Sequence, residues 1–300
     1  MERTAFTLIN PRTGELAFRI FPFCNDGSLA HLQRHNHYSL ILITEGKGQL
    51  KANFSTYQFA GKAICCFAPY QPYLISSDGN LSGIIINFHA DFFCIYRHQH
   101  EIASNGILFD NLYKPPFFGI RDEILHQFLS LIESMKQEVE CNEPAQQESI
   151  ILYLKLFLIT AIRTSQAALA VQASTKTKEP LVLQQLQDAI ETHHCQKHAV
   201  GEYADLLQVS PKRLARLVKT YYGKTMTELI RERLVMEAKR ELYLTSKSVK
   251  SIAFQLGFSD EYYFSRFFKK NTDISPQLYR ESVGKAKAER IQQPIVFKRV

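Results

Sequence analysis

The first half of the chain alternates short apolar runs with turn-forming residues. Apolar stretches occur at residues 40–44, 63–67 and 84–88, and glycine, proline, asparagine and aspartate separate them. Several short strands punctuated in this way are typical of an antiparallel barrel or sandwich. The pattern therefore predicts a β-rich domain in the N-terminal half.

From about residue 119 the apolar positions change to a helical period. One predicted helix is marked by apolar residues three or four positions apart, namely Ile124, Phe128, Leu131, Ile132 and Met135. A second predicted helix, residues 150–162, is apolar on nearly all sides. Such a helical pair either packs on the preceding sheet or forms a dimer surface, and we favour the dimer.

The last hundred residues contain one pattern twice, about fifty residues apart. Ala204, Leu207 and Ser210 recur as Ala253, Leu256 and Ser259, and then, after one inserted residue, Leu214, Arg216, Leu217, Val218 and Lys219 recur as Phe264, Arg266, Phe267, Phe268 and Lys269. Each copy predicts a helix, a short turn and a second helix, with Ser210 and Ser259 as N-caps of the second helices. This is the helix-turn-helix arrangement, in which the second helix enters the major groove of DNA.

Residues 225–245 join the two copies. The segment lacks glycine and proline and is rich in helix-forming residues, so it predicts one helix of about 20 residues and roughly 30 Å. One turn of B-DNA is about 34 Å long. A rod of this length can place two recognition helices in successive major grooves, although duplicated helical pairs also form interaction domains.

The charge of the chain is divided unevenly. Residues 200–300 hold 20 Lys and Arg against 11 Asp and Glu, whereas residues 1–199 hold 16 against 18. The net charge of +7 therefore belongs to the repeat region, as a phosphate-binding surface requires.

Three stretches of the second half resemble the signature of AraC-type transcriptional regulators. They are residues 251–259, 263–270 and 275–280, within a match that extends from about 181 to 282. The resemblance implies a sequence-specific DNA-binding regulator with two helix-turn-helix units on a linker helix. The family usually has Gly where this chain has Asp273, and Asp tolerates the left-handed conformation expected there less well.

The N-terminal half resembles, more loosely, the cupin-like β-barrel and helical pair that precede the DNA-binding domain in many of these regulators. The predicted fold class is therefore α+β in two domains. We predict a cupin-like sensor and dimerisation domain at 1–165, a linker at 166–180, the AraC-type DNA-binding domain at 181–283 and a basic tail at 284–300. The tail is expected to be disordered in part or to touch phosphates.

The resemblance, together with the basic face of the first recognition helix and the lysines late on both helices, places DNA contacts at exposed positions of the two recognition helices. They are Lys212, Arg213, Ala215, Arg216 and Lys219 in the first copy, and Glu261, Tyr262, Ser265, Arg266, Lys269 and Lys270 in the second. Arg216 is a strong candidate base reader because a guanidinium can bond a guanine edge at two points. The expected partner is double-stranded DNA, and RNA polymerase is a candidate partner.

His35 and His37 lie two residues apart, so on a strand they would face the same side and could share a metal ion. Metal-binding cupins add a carboxylate and a later His, and this chain has Tyr73 at the later position. We therefore expect no metal, no cofactor and no catalytic residue. His35, His37, Tyr38 and Tyr73 are instead candidate contacts for a small-molecule effector in a hollow barrel. The alternative is a cupin metalloenzyme fused to a DNA-binding domain.

The six cysteines form no CxxC pair, so the sequence predicts neither a zinc site nor a disulfide framework. A DNA-repair fusion with a reactive cysteine is disfavoured for the same reason.

The N-terminus lacks the basic-then-apolar order of a signal peptide, and residues 150–162 are too short to span a bilayer. We therefore expect a cytoplasmic, homodimeric regulator that is not an enzyme and has no membrane partner.

Overall fold

In the computed structural model, strands occupy the N-terminal part and helices follow, as the change of apolar period predicts. The structure describes residues 5–11, 13–25, 27–52, 55–77, 79–96, 98, 108–109, 112–141, 143–175, 181–283 and 298–299. The strands are β1 (Phe6–Ile9), β2 (Leu16–Cys24), β3 (Tyr38–Ala52), β4 (Ser55–Ala60), β5 (Ala63–Phe67), β6 (Tyr73–Ser76), β7 (Leu81–Phe88), β8 (Phe117–Gly119) and β9 (Lys298–Arg299). The helices are α1 (Asp122–Glu140), α2 (Gln146–Thr175), α3 (Leu181–His193), α4 (Val200–Leu206), α5 (Pro211–Tyr222), α6 (Met226–Leu244), α7 (Val249–Gln255), α8 (Glu261–Thr272) and α9 (Pro276–Val283).

The long strand β3 joins two groups of antiparallel strands. Its first part pairs with β5 and β7, and its second part pairs with β4 and β6. The register shifts between Ile43 and Glu45, and Gly46 follows with φ 128°. A Cβ at Gly46 would lie 2.4 Å from the Asn80 carbonyl oxygen, so a side chain does not fit at this bend. The main strand order is β8-β5-β3-β7-β2-β1-β9.

Both faces of the first part of β3, residues 38–43, are buried, which explains the uninterrupted apolar run there. Ile41 and Ile43 face a core that the two groups of strands enclose. Leu40 and Leu42 face the opposite way and join a second core that the helices cover. A strand buried on both faces reads as a continuous apolar run, because alternate residues enter different cores.

Helices α1 and α2 pack as a pair, and the rings of Phe128 and Phe157 lie 4.5 Å apart. Helix α2 is longer than the predicted 150–162 and runs through the predicted linker as far as Thr175, in a stretch rich in alanine. By length and composition alone, Gln146–Ala168 is long and apolar enough to cross a membrane, whereas the predicted helix was too short for that. Of this segment, 39% is buried inside the protein.

The helical region is built around α6, which contacts α3, α5, α7, α8 and α9. Its buried stripe includes Leu229, Leu234, Ala238 and Leu242, in agreement with the predicted helix over 225–245. The same continuous apolar cluster contains side chains of β2, β3, β7 and α1. The strand region and the helical region therefore share one hydrophobic core.

Strand β9 pairs antiparallel with β1, with Arg299 opposite Leu8. This strand belongs to the predicted basic tail. The rest of that tail, residues 284–297 and 300, lies outside the described residues.

Candidate DNA-binding surface and interdomain cavity

Each copy of the repeat folds into two helices that contact each other, α4 with α5 and α7 with α8. Ala204 and Ala253, at matching places in the first helices, are fully buried. The second helices bury their inner apolar face, namely Leu214 and Val218 in α5 and Phe264 and Phe268 in α8. The repeated apolar positions are thus the inner faces of two helix-turn-helix units.

The two recognition helices, α5 and α8, begin with different capping residues. The Ser210 hydroxyl accepts a hydrogen bond from the Arg213 N–H at 3.3 Å, as predicted. In the second copy, the prediction that Ser259 caps α8 is wrong. The N-cap is Asp260, whose carboxylate accepts a hydrogen bond from the Tyr263 N–H at 2.8 Å. The residue inserted after Ser259 moves the helix start by one position, and Asp caps a helix about as well as Ser.

The predicted DNA contacts lie on the outer faces of α5 and α8. On α5, the exposed residues are Lys212, Arg213, Ala215, Arg216 and Lys219. On α8, Tyr262, Arg266, Lys269 and Lys270 are exposed, whereas Glu261 and Ser265 are half-buried. The Lys219 ammonium also donates to the Gly223 carbonyl at 3.1 Å, at the end of its own helix. The structure therefore brings the eleven positions to two outward helix faces.

A buried arginine, Arg280, and a half-buried one, Arg233, support this surface, and neither was predicted as part of the site. The Arg280 guanidinium donates to the Leu242 carbonyl at 3.0 Å and to the Lys247 carbonyl at 2.7 Å, which fixes the end of α6 next to the second unit. Arg233 donates to Glu191 and Glu237, each at 2.9 Å. Burial alone would lower the pKa of Arg233, but these carboxylates raise it overall. A single basic residue in a helical pattern does not indicate that its side chain will bond to groups elsewhere in the fold.

A cavity of about 360 Å³ lies between the strand region and the helical region. Its apolar walls include Tyr38, Tyr96 and Phe109 from one side and Val235 and Met236 of α6 from the other. Its charged lining is Arg34, Arg231, Glu232, Lys239 and Lys270. Lys270, a predicted DNA contact, therefore also borders this cavity.

Two ion pairs join residues at the C-terminal ends of the recognition helices to side chains that line this cavity. Asp273, the C-cap of α8, has φ 64°, and its carboxylate contacts the Arg34 guanidinium. Lys224 follows the C-cap of α5 and is almost fully buried. Its ammonium donates to Glu232 Oε2 at 2.7 Å and to the Leu112 carbonyl at 2.9 Å. Burial raises the pKa of Glu232, and the charge of Lys224 offsets part of that rise.

Helix α9 makes a third connection, through Ser282. The Tyr70 hydroxyl donates to Ser282 Oγ at 2.7 Å. The His89 Nδ1 accepts from the Asp91 N–H at 3.2 Å, so its Nε2 carries the proton and donates to the Ser282 carbonyl at 2.8 Å. Side chains of the strand region thus hold the last helix of the DNA-binding region.

The four predicted effector contacts do not surround one space. Tyr38 lines the interdomain cavity, whereas Tyr73 is buried in the core between the strand groups and stacks on Phe67 at 3.9 Å. The rings of His35 and His37 stack on each other at 4.8 Å. Burial, followed by the charges of His35, His89 and Arg19, lowers the pKa of His37 to about 3. A smaller cavity of about 240 Å³ lies beside Phe23, Leu29 and Ile75.

Among the described residues, no group of three or more His, Cys, Asp or Glu side chains is placed to hold a metal ion. The cysteines are free thiols, and burial raises the pKa of Cys65 to about 12. A thiol with a raised pKa is a poor nucleophile near neutral pH.

Two family matches cover the two regions described above. Residues 203–282 match the family described as helix-turn-helix domain, and residues 23–154 match the AraC-like ligand binding domain. Together they span more than two thirds of the chain. The chain belongs to the AraC family of transcription regulators. As the sequence resemblance predicted, this AraC-family protein is a DNA-binding transcription regulator with an effector-binding domain.

Relatives of this AraC-family protein are regulators rather than enzymes. The transcriptional activator RhaS of Shigella dysenteriae serotype 1 (strain Sd197) is 25% identical over 251 residues, which cover 82% of this chain and 86% of RhaS. RhaS of Escherichia coli (strain SMS-3-5 / SECEC) has the same identity and coverage. Nothing supports the alternative of a cupin metalloenzyme fused to a DNA-binding domain.

Among solved structures, an apo form of a ToxT variant from Vibrio cholerae strain SCE256 is 14% identical, with a TM-score of 0.42, over 88% of this chain and 98% of ToxT. The C-terminal domain of AraT from Geobacillus stearothermophilus is 24% identical, with a TM-score of 0.37, over 39% of this chain and 97% of that domain.

Proposed function

We propose that this AraC-family protein is an effector-responsive, dimeric activator that reads two successive major grooves with α5 and α8. One observation carries the proposal. The outer faces of both recognition helices are exposed, while their C-terminal ends contact residues that border the cavity between the regions. A ligand in that cavity would therefore act on both DNA-reading helices.

The proposed DNA geometry follows from α6. Its 19 residues give a helix of about 28 Å at 1.5 Å per residue. This length is close to the roughly 34 Å of one turn of B-DNA, so α5 and α8 suit two grooves on one face of the duplex. We propose the eleven exposed and half-buried positions of α5 and α8 as the contact residues, and 181–283 as the extent of the DNA-binding domain.

Selection of bound sequences from a random DNA pool by the full chain tests the proposed two-groove geometry. We expect enrichment of two half-sites about 10 base pairs apart, protected on one face of the duplex in a footprint. Enrichment of a single half-site, or of none, would contradict the two-groove proposal.

We propose that α2 forms the dimer interface. Leu152 and Leu156 lie four residues apart on one side of the helix and are 64% and 48% exposed. Exposed leucines in this arrangement suit a partner helix from a second copy. We expect the double variant Leu152→Glu, Leu156→Glu to sediment as a monomer. The matched control Leu278→Glu changes an exposed leucine of α9 and should leave the dimer intact.

The proposal that this protein activates transcription rests on its similarity to RhaS, whose name describes a transcriptional activator. An activator bound at a promoter implies contact with RNA polymerase and a place in the cytoplasm, and we propose both. In vitro transcription from a promoter that contains the selected site is the test. Reduced transcript on addition of the protein would contradict activation.

A further inference from the structure

The cavity between the two regions contains charged atoms that lack partners. Glu232 Oε1 and Arg34 Nε are buried, and neither has a hydrogen-bond partner among the described residues. The Glu232 side chain is only 8% exposed and that of Arg34 only 17%. Buried polar atoms are nearly always paired, because an unpaired one loses its bond to water without replacement. These two atoms indicate a bound molecule that supplies an acceptor at Arg34 and a donor at Glu232.

The charge of the lining defines the acceptor. Four cationic side chains border the cavity, whereas the one acidic side chain, Glu232, already holds Lys224 at 2.7 Å. The net positive lining favours a carboxylate over a neutral acceptor, since a carboxylate can bond a guanidinium at two points. The donor at Glu232 Oε1 is then a hydroxyl, because an ammonium would be repelled by the neighbouring lysine.

The apolar walls define the body of the molecule. Tyr38, Tyr96 and Phe109 present aromatic rings, and Val235 and Met236 present aliphatic and thioether groups. Aromatic rings pack well on such walls, in edge or offset arrangements. The volume of about 360 Å³ lies within the usual range for small-ligand pockets and is large enough for one ring and a short side chain.

We propose that this cavity binds a hydroxylated aromatic carboxylic acid, whose carboxylate competes with Asp273 for Arg34 and whose hydroxyl donates to Glu232 Oε1. The inference rests on the proposed effector response and names its ligand class. The same two side chains hold the recognition helices, through Asp273 at the end of α8 and Lys224 after α5. A ligand that engages them therefore changes how both helices are held, and DNA affinity changes with it.

The test measures binding of four probes to the full chain by calorimetry, without DNA. The probes are 4-hydroxycinnamate, cinnamate, methyl 4-hydroxycinnamate and decanoate. We expect saturable binding of 4-hydroxycinnamate, about tenfold or more tighter than each of the others. Cinnamate lacks the hydroxyl, the methyl ester lacks the carboxylate, and decanoate lacks both the aromatic ring and the hydroxyl. Equal binding of cinnamate or decanoate would overturn the proposed ligand class.

Two variants and a control locate the site. Arg34→Gln should weaken 4-hydroxycinnamate binding about tenfold and remove the preference for the acid over its ester. Asp273→Asn removes the competing carboxylate and should tighten binding by a few-fold. Arg121→Gln changes an exposed arginine at the start of α1 and should have no effect. An Asp273→Asn protein that binds the acid no tighter than the parent would overturn the competition.

A second measurement separates this inference from the proposed function. Affinity for the selected DNA site is measured with and without saturating 4-hydroxycinnamate, and we expect it to change in the parent protein and to change less in Asp273→Asn. Absence of saturable probe binding by a protein that still binds its DNA site would overturn the cavity assignment. Probe binding that leaves DNA affinity unchanged would support the cavity assignment and contradict the effector response.

Discussion

At the scale of single residues, Asp273 combines a local conformation with a distant contact. Its φ of 64° is the left-handed conformation that the first copy meets with Gly223, at φ 69°. An Asp costs more than Gly in this conformation, roughly 1 kcal/mol. In return its carboxylate contacts Arg34, which a Gly cannot do. The departure from the family pattern thus adds a tie between the two regions.

Arg216 is the residue for which we predict base reading. It is exposed on the outer face of α5, opposite the buried Leu214 and Val218. We expect Arg216→Ala to weaken binding to the selected site by about 1–3 kcal/mol and to relax preference at one base pair. Titration against specific and random DNA measures the effect, with Arg163→Ala, an exposed arginine of α2, as control. Equal losses on both DNAs would identify a phosphate contact instead.

His37 should make the stability of the protein depend on pH. Its pKa is about 3 in the folded protein, because burial and nearby cations oppose its charge, against about 6.5 in an unfolded chain. The contribution of neutral His37 to the free energy of unfolding is complete above pH 6.5, falls as the pH drops below that value, and is lost by about pH 3. We expect a loss of about 2 kcal/mol between pH 8 and pH 5 from this group.

Denaturant unfolding across that pH window tests the role of His37. The variant His37→Gln should show a smaller pH dependence than the parent protein. The variant His31→Gln, which changes an exposed histidine, serves as control and should retain the full dependence. A His37→Gln protein with the parent's slope would show that other groups cause it.

At the scale of elements, the two recognition helices should respond differently to loss of a serine. Ser210→Ala removes the hydroxyl that caps α5 and should cost about 1 kcal/mol of unfolding free energy. Ser259→Ala should change stability by less than about 0.5 kcal/mol, because Asp260 caps α8. Asp260→Ala should cost about as much as Ser210→Ala. Midpoints of urea unfolding provide the comparison, and an equal effect of both serine variants would contradict it.

One glycine in each helix-turn-helix unit differs in the space around it. Gly257 has φ 80°, and a Cβ there would lie 2.1 Å from the Cys195 carbonyl oxygen. Gly257→Ala should therefore destabilise the protein by more than about 1 kcal/mol. Gly201, inside α4, has open space around it, so Gly201→Ala should stabilise the protein by about 0.5–1 kcal/mol. Opposite shifts of the thermal midpoint are expected, and a stabilised Gly257→Ala protein would contradict the steric argument.

At the scale of the whole molecule, the positive charge concentrated in residues 200–300 should make DNA binding strongly salt-dependent. Lys269 is exposed near the end of α8, where we propose that it contacts a phosphate. Lys269→Ala should lower the slope of log affinity against log salt concentration by about one unit, on every DNA sequence. Lys51→Ala removes an exposed lysine of β3 and should leave the slope unchanged.

Several features of this protein were predictable from the sequence because they depend on neighbours along the chain. The apolar period of each segment distinguished strands from helices, and the two copies of the repeat predicted both helix-turn-helix units. The cap of α5 followed from Ser210, which directly precedes the helix in sequence. The boundary of α2 was predicted poorly, since the alanine-rich stretch before Thr175 has the composition of either a helix or a linker.

Other features depend on tertiary structure, because they join residues that are far apart in the chain. The cavity forms where Arg34 and Tyr38 of the strand region meet Glu232 of α6, and no local pattern encodes that meeting. The sequence placed four candidate effector contacts in one barrel, whereas packing buried Tyr73 in a core and left Tyr38 at the cavity. Local propensity and apolar period therefore determined the elements and the DNA-binding units. The packing of one region on the other determined which charged side chains hold the recognition helices.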